Sequence, residues 1–285
     1  MNFGINTFLF TSPFTNESIS LFPQFKKWGF DSVEIAIEDT SHIDVSLIKK
    51  ALDENELKCN SICAAMGPGR DLRGTIAEQH QAINYIKSVL DIMPELGCPV
   101  LAGPLYSTVG RAEATERAVY NMQWETVARH LKMLSGYAEI SGLKLAIEPL
   151  NRYETDFINT CDQALNMIND VGSDALFIHL DTYHMNIEEK DPAKAILKAG
   201  KKLGHIHACG SDRGMPGSDQ INWASIRLAL EEIGYNQSVV IESFTPDVKV
   251  IARAASVWRE FEKSPEDIAG KGLQFLRSLL LENNS

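Results

Sequence analysis

The sequence predicts a single-domain α/β fold, a (β/α)₈ TIM barrel of eight parallel strands, on three observations. Eight short apolar runs recur along the chain, and amphipathic helical patterns separate them in strict alternation. The chain has 285 residues, close to the roughly 250 that one such barrel needs. No stretch rich in Pro, Gly or Ser divides it, so residues 1–285 read as one barrel domain.

The runs are Phe3–Phe10, Ser32–Ile37, Lys58–Ala65, Pro99–Leu105, Lys144–Leu150, Phe177–Thr182, Leu203–Gly210 and Ser238–Phe244. Several are apolar nearly throughout, as strands buried on both faces must be. Ser18–Trp28 reads as a short helix after the first run. Asp44–Asn55 places Val45, Ile48 and Leu52 on one face, and Thr75–Leu96 does the same with Ile83, Ile86, Leu90 and Met93. Ala112–Ser141 is long and amphipathic. Cys161–Val171, Pro192–Ala199, Trp223–Ile233 and Glu266–Leu281 complete the set, and Thr245–Lys263 reads as a short helix or a packing arm. Alternating strands and helices require parallel pairing with right-handed crossovers, and eight units at this length favour closure over an open sheet.

Hydrophobic residues make up 44% of the chain, enough for a large core. A net charge of −11 repels phosphate backbones and argues against a nucleic-acid partner. The five cysteines, Cys59, Cys63, Cys98, Cys161 and Cys209, are odd in number and widely spaced. They read as small buried apolar residues rather than a disulfide framework. The opening MNFGINTFLF has no basic n-region or cleavage pattern, and no stretch is apolar enough to cross a bilayer. The expectation is a cytoplasmic enzyme without a membrane partner.

Active sites of such barrels lie at the C-terminal ends of the strands. Four consecutive strands end in a potential metal ligand: Glu148 in KLAIEPL, Asp181 in FIHLDT, His207 in GHIHACG and Glu242 in VVIESF. A carboxylate in an apolar strand costs on the order of several kcal/mol unless it is paired or binds a cation. Any one of them also fits a helix N-cap or half of a buried ion pair. Four at one depth, on strands ~5 Å apart, can meet a single ion. One imidazole and three carboxylates make an oxygen-rich site suited to Mn²⁺, Mg²⁺ or Co²⁺. His179 and His205 face the same side one layer down and read as supporting or core histidines rather than ligands. Asn151, Arg152, Glu154, His184, Asp212 and Arg213 follow these strands. They offer groups to fix the hydroxyls of a small polyol, although each alone also fits a solvated loop.

Glu148 and Glu242 belong to the fifth and eighth strands and so approach a substrate from different sides. A metal chelating a carbonyl and its neighbouring hydroxyl acidifies the C–H between them and stabilises an enediolate. One carboxylate removes that proton and the other returns one to the opposite face, which is epimerisation. Each such step contributes roughly 10²–10⁴-fold.

The segments GPLYSTVGR (Gly103–Arg111), AIEPLNRYETDF (Ala146–Phe157), HLDTYHMNIEE (His179–Glu189), GHIHACGSDRGMPG (Gly204–Gly217) and VVIESF (Val239–Phe244) resemble the D-tagatose/D-psicose (allulose) 3-epimerase family, L-ribulose 3-epimerases included. The likeness runs over essentially the whole chain. It implies one divalent metal, Mn²⁺ first and Co²⁺ or Mg²⁺ as alternatives, held by Glu148, Asp181, His207 and Glu242. It implies Glu148 and Glu242 as the acid–base pair at C3 of a free ketose, with Glu154, His184 and Arg213 holding the substrate near O1 to O3. It further implies a homodimer or homotetramer. Positions for the distal end of the sugar would include Asn6, Phe8, Phe14, Cys63, Met66, Gly103 and Pro104. The loop MGPGRDLRG (Met66–Gly74) is either a lid or an ordinary turn with Arg70 paired to Asp71.

Rival readings share parts of this pattern. Aldose–ketose isomerisation, or a hydroxypyruvate- or inosose-type reaction, uses the same enediolate. A phosphorylated sugar would meet the backbone N–H groups of the Gly-Ser-Asp-Arg-Gly turn, but Asp212 opposes it. A barrel endonuclease would need more than seven histidines and a basic face. A non-catalytic sugar-binding protein would not need carboxylates on two sides of one metal.

Overall fold

The computed structural model describes residues 1–113 and 115–281. Residue 114, inside the expected Ala112–Ser141 helix, and residues 282–285 lie outside the described residues. Eight parallel strands close in sequence order: β1 (Asn2–Asn6), β2 (Ser32–Ile37), β3 (Lys58–Ala64), β4 (Val100–Gly103), β5 (Lys144–Ile147), β6 (Leu176–Asp181), β7 (Leu203–Ala208) and β8 (Ser238–Ile241). The eight expected runs are these strands, and the predicted single-domain barrel is the observed one. No helix among the described residues is long and apolar enough to cross a membrane.

The helices begin and end where local chemistry directs. Thr75 and Glu78 form a reciprocal cap at the start of Ile76–Leu96, and Gly97 ends that helix at φ 67°. Thr160 and Gln163 do the same for Cys161–Val171. Asp44, Asp191 and Asn222 cap Val45–Glu54, Pro192–Ala199 and Trp223–Glu232 through their side chains. The inner faces of the helices bury against the outer faces of the strands in one continuous apolar core.

Three expectations need correction. The first run reads as strand through Phe10, but β1 stops at Asn6. The Asn6 side chain accepts the Phe8 N–H at 2.8 Å and starts a turn of 3₁₀ helix, Thr7–Leu9, so the apolar residues there pack without extending the strand. The long helix starts at Arg117 rather than Ala112. Arg70 does not pair with Asp71: it donates to the Ala65 and Glu38 carbonyls and lies 3.8 Å from the Tyr85 ring centre. Asp71 pairs instead with Arg111 at 2.8 Å. Close by, the buried Arg73 side chain bonds Asp156 and the Ser107 hydroxyl, so the loops after β3, β4 and β5 are clamped together at the barrel mouth.

Thr245–Lys263 is both a helix and an arm. Lys249–Ala254 is helical, and Ala252 and Val257 pack on Phe8, Cys63 and Phe244 over the C-terminal mouth. All five cysteines are buried free thiols.

Candidate active site

Strand register levels the key side chains. Asp181 of β6 pairs with His207 of β7, and His207 with Val240 of β8, two residues before Glu242. Glu148 and Glu242 stand immediately after β5 and β8. Ligand atoms of Glu148, Asp181, His207 and Glu242 lie within 4.8 Å of one another, and all four residues are buried. The structure therefore brings together the four residues that the sequence grouped.

Asp181 also performs the blander tasks open to a strand-end carboxylate. One oxygen caps the short helix Thr182–Glu188 by accepting the Tyr183 N–H at 2.7 Å. The other takes Arg213 Nη1 at 2.7 Å, and the same nitrogen reaches Glu242 Oε2 at 3.2 Å. Arg213 is buried against the rings of Tyr183 and Phe244, at 4.2 and 4.8 Å.

Burial and neighbours set different protonation tendencies. Burial, with the Glu242 charge adding to it, holds the Glu148 carboxyl well above its ordinary range. Burial acts the same way on Glu242, but His207 and Arg213 outweigh it and lower that pKa. Burial pushes the Asp181 carboxyl up to about 6, against the pull of Arg213. Burial opposes the His207 imidazolium, yet the Glu34 and Glu242 carboxylates raise its pKa well above the usual histidine value. His179 and His184 are held neutral, first by burial.

His184 stands in Thr182–Glu188, the short helix that follows β6. The Asn151 N–H donates to His184 Nδ1 at 3.0 Å, while His184 Nε2 lies 3.8 Å from Glu148 Oε1 and 3.1 Å from the Arg213 Nη2 donor. Glu154 accepts from Asn151 at 2.8 Å and stands 3.9 Å from Arg213. Arg152 turns outward to Glu188, and Asp212 caps the Gly214 N–H within its own turn.

Among the distal positions, Asn6 donates to Glu242 Oε1 at 3.1 Å, and the Cys63 thiol lies 3.8 Å from the same oxygen. Gly103, at φ 130°, approaches through its backbone, and its carbonyl accepts the Glu148 N–H. Phe14 is buried in the main core, 6.4 Å from the Phe22 ring. One functional-looking residue escaped the sequence reading: Glu34 of β2, fully buried between His205 and His207, at 2.7 and 2.6 Å. Its signal was a single acid inside the apolar run SVEIAI. His179 Nδ1 stands 3.6 Å from Glu148, so both lower histidines touch carboxylates.

The donor set fits a hard divalent ion. Glu148 Oε1 and His207 Nδ1 are buried without a hydrogen-bond partner, and three carboxylates are gathered where one cationic side chain serves two of them.

A buried, oxygen-rich cluster at the C-terminal mouth of a closed barrel defines a barrel enzyme. The chain belongs to the xylose isomerase-like TIM barrel family, whose description matches residues 22–279. It is 33% identical over 289 aligned positions to a probable ketose 3-epimerase of Synechocystis sp., covering 99% of this chain and 98% of the relative. An L-ribulose 3-epimerase of Methylomonas sp. is 33% identical over 256 positions, covering 87% of each chain. The crystal structure of a D-allulose 3-epimerase from Methylomonas sp. in complex with D-allulose superposes with a TM-score of 0.91 at 29% identity, covering 98% and 96%. The resemblance carried by the sequence blocks thus holds along the chain, which is an isomerase-class carbohydrate epimerase.

Proposed function

We propose that the protein is a metal-dependent ketose 3-epimerase acting on free ketoses: D-fructose and D-psicose, D-tagatose and D-sorbose, or L-ribulose and L-xylulose. The observation that carries this reading is the pair Glu148 and Glu242, two buried carboxylates from separate strands beside one candidate ion site.

Glu148, Asp181, His207 and Glu242 would hold the ion, with Mn²⁺ first and Co²⁺ or Mg²⁺ as alternatives. When bound, it supplies Lewis-acid polarisation of the carbonyl and its neighbouring hydroxyl. One of the two carboxylates Glu148 and Glu242 takes the proton from C3, and the other, protonated at the start of that turnover, delivers a proton to the opposite face; the reverse reaction exchanges the roles. Arg213 offers donors to oxygens near O1 to O3, His184 stands beside it, and Glu154 accepts. Asn6, Cys63 and Gly103 line the distal end, where Phe8 and Phe244 help to exclude water.

Aldose–ketose isomerisation would use the same cluster, and the position of the moved proton separates the two reactions. The reading extends to a cytoplasmic homodimer or homotetramer, whose mass sedimentation measures. Glu148→Gln and Glu242→Gln should each lower epimerisation by about 10²–10⁴-fold with far-UV circular dichroism unchanged. Either variant turning over at the wild-type rate removes the two-carboxylate mechanism.

A further inference from the structure

Glu34 stands on β2, outside the four strands whose tips form the cluster, and is 0% exposed. A carboxylate so buried costs on the order of several kcal/mol unless its neighbours offset it. Three groups surround it. His207 Nε2 lies 2.6 Å from Oε1, His205 Nε2 lies 2.7 Å from Oε2, and Asn6 Nδ2 donates to Oε1 at 2.7 Å. The same Asn6 nitrogen donates to Glu242 Oε1 at 3.1 Å. The register that pairs Asn6 with Glu34 builds this bridge into the barrel wall.

We infer that Glu34 is a positioning residue for the ion site: it holds the His207 hydrogen on Nε2, so that Nδ1 faces the carboxylates, and through Asn6 it fixes Glu242. The inference rests on reading the cluster as a divalent-ion site. An imidazole binds a metal through one nitrogen, and the hydrogen bond made by the other decides which. His207 has two carboxylate neighbours, Glu34 at Nε2 and Glu242 Oε2 at 3.3 Å from Nδ1. The Glu34 contact is the shorter, and it frees Nδ1 on the side where Glu242 and the other ligand-type atoms gather. Buried charge networks contribute little net stability, so what this one supplies is orientation.

Glu34→Gln keeps the shape and breaks the control. An amide has one accepting oxygen and one NH₂, whereas both imidazoles present Nε2 at hydrogen-bond distance. The amide replaces one acceptor with a donor, either beside His207 Nε2, 2.6 Å from Oε1, or beside His205 Nε2, 2.7 Å from Oε2.

The test uses the full-length protein, freed of metal and titrated with Mn²⁺ by calorimetry, with the ¹⁵N-labelled histidines read by NMR in the Mg²⁺-loaded form. The expected result is a 10–100-fold weaker Mn²⁺ affinity in Glu34→Gln, and a His207 hydrogen on Nε2 in the wild type. Equal affinities, or a hydrogen on Nδ1 in the loaded wild type, overturn the assignment while leaving the metal reading intact. Wild-type protein that takes up no divalent ion overturns both. If Glu34→Gln does not fold, Glu34→Asp, which keeps a carboxylate but withdraws it by one methylene, takes its place in the Mn²⁺ titration with the same two outcomes.

Discussion

Removing Arg213 tests how the carboxylate cluster is neutralised. Arg213 Nη1 reaches Asp181 at 2.7 Å and Glu242 at 3.2 Å, and all three residues are buried. Arg213→Ala in metal-free protein leaves two buried carboxylates without their cation, a loss of about 3–5 kcal/mol. At about 2 °C per kcal/mol for a chain of this size, the melting midpoint falls by roughly 6–10 °C. The backbone at residue 213 has φ 71°, but alanine carries the same Cβ as arginine, so this conformation does not enter the difference. With Mn²⁺ present, the ion supplies the missing positive charge. The deficit should then shrink to the lost stacking on Tyr183 and Phe244, on the order of 1–2 kcal/mol. Thermal melts of both proteins, in chelator and in Mn²⁺, read this directly. A deficit of equal size in both conditions refutes the role of Arg213 as the cluster's counter-charge.

Chelation should lower the melting midpoint of the wild type and stop turnover, because an ion bound only by the folded state stabilises it by mass action; melts with and without chelator check this. The metal-free protein should also carry a pH signature. Burial raises the Asp181 pKa from 3.8 to about 6, so between these values the folded state binds more protons than the unfolded state. The stability contributed by this group is therefore present below pH 3.8 and is lost as pH rises through about 6. Urea titrations of chelated wild type against Asp181→Asn should show the wild type losing ground across that window, at about 1.4 kcal/mol for each step of one in pH. A flat difference would show that Asp181 does not titrate this way.

The barrel was legible because each strand is a short apolar run and each helix shows its face every three or four residues. The ligand-type residues were legible for the same reason, since an acid or histidine at the end of such a run stands out. Glu34 breaks an apolar run equally clearly, but it sits two residues into β2 rather than at its tip. The residues that make its burial tolerable, Asn6, His205 and His207, come from strands distant in sequence. The helix Thr182–Glu188 was missed because seven residues of mixed polarity carry no periodic signal, and its start depends on the Asp181 cap. The loop Met66–Gly74 offered Asp71 two arginines close in sequence, yet its partner is Arg111, 40 residues away. Such pairings follow from how loops meet above a closed barrel, which no local pattern encodes.

On the proposed mechanism the paired carboxylates move a proton at C3. Mn²⁺-loaded enzyme incubated in D₂O with a panel of free ketohexoses and ketopentoses, with products read by NMR, tests it most directly. The expected result is deuterium at C3 with inverted configuration in at least one sugar pair. Deuterium at C1 or C2 of an aldose–ketose pair, or no turnover of any free ketose, would contradict it.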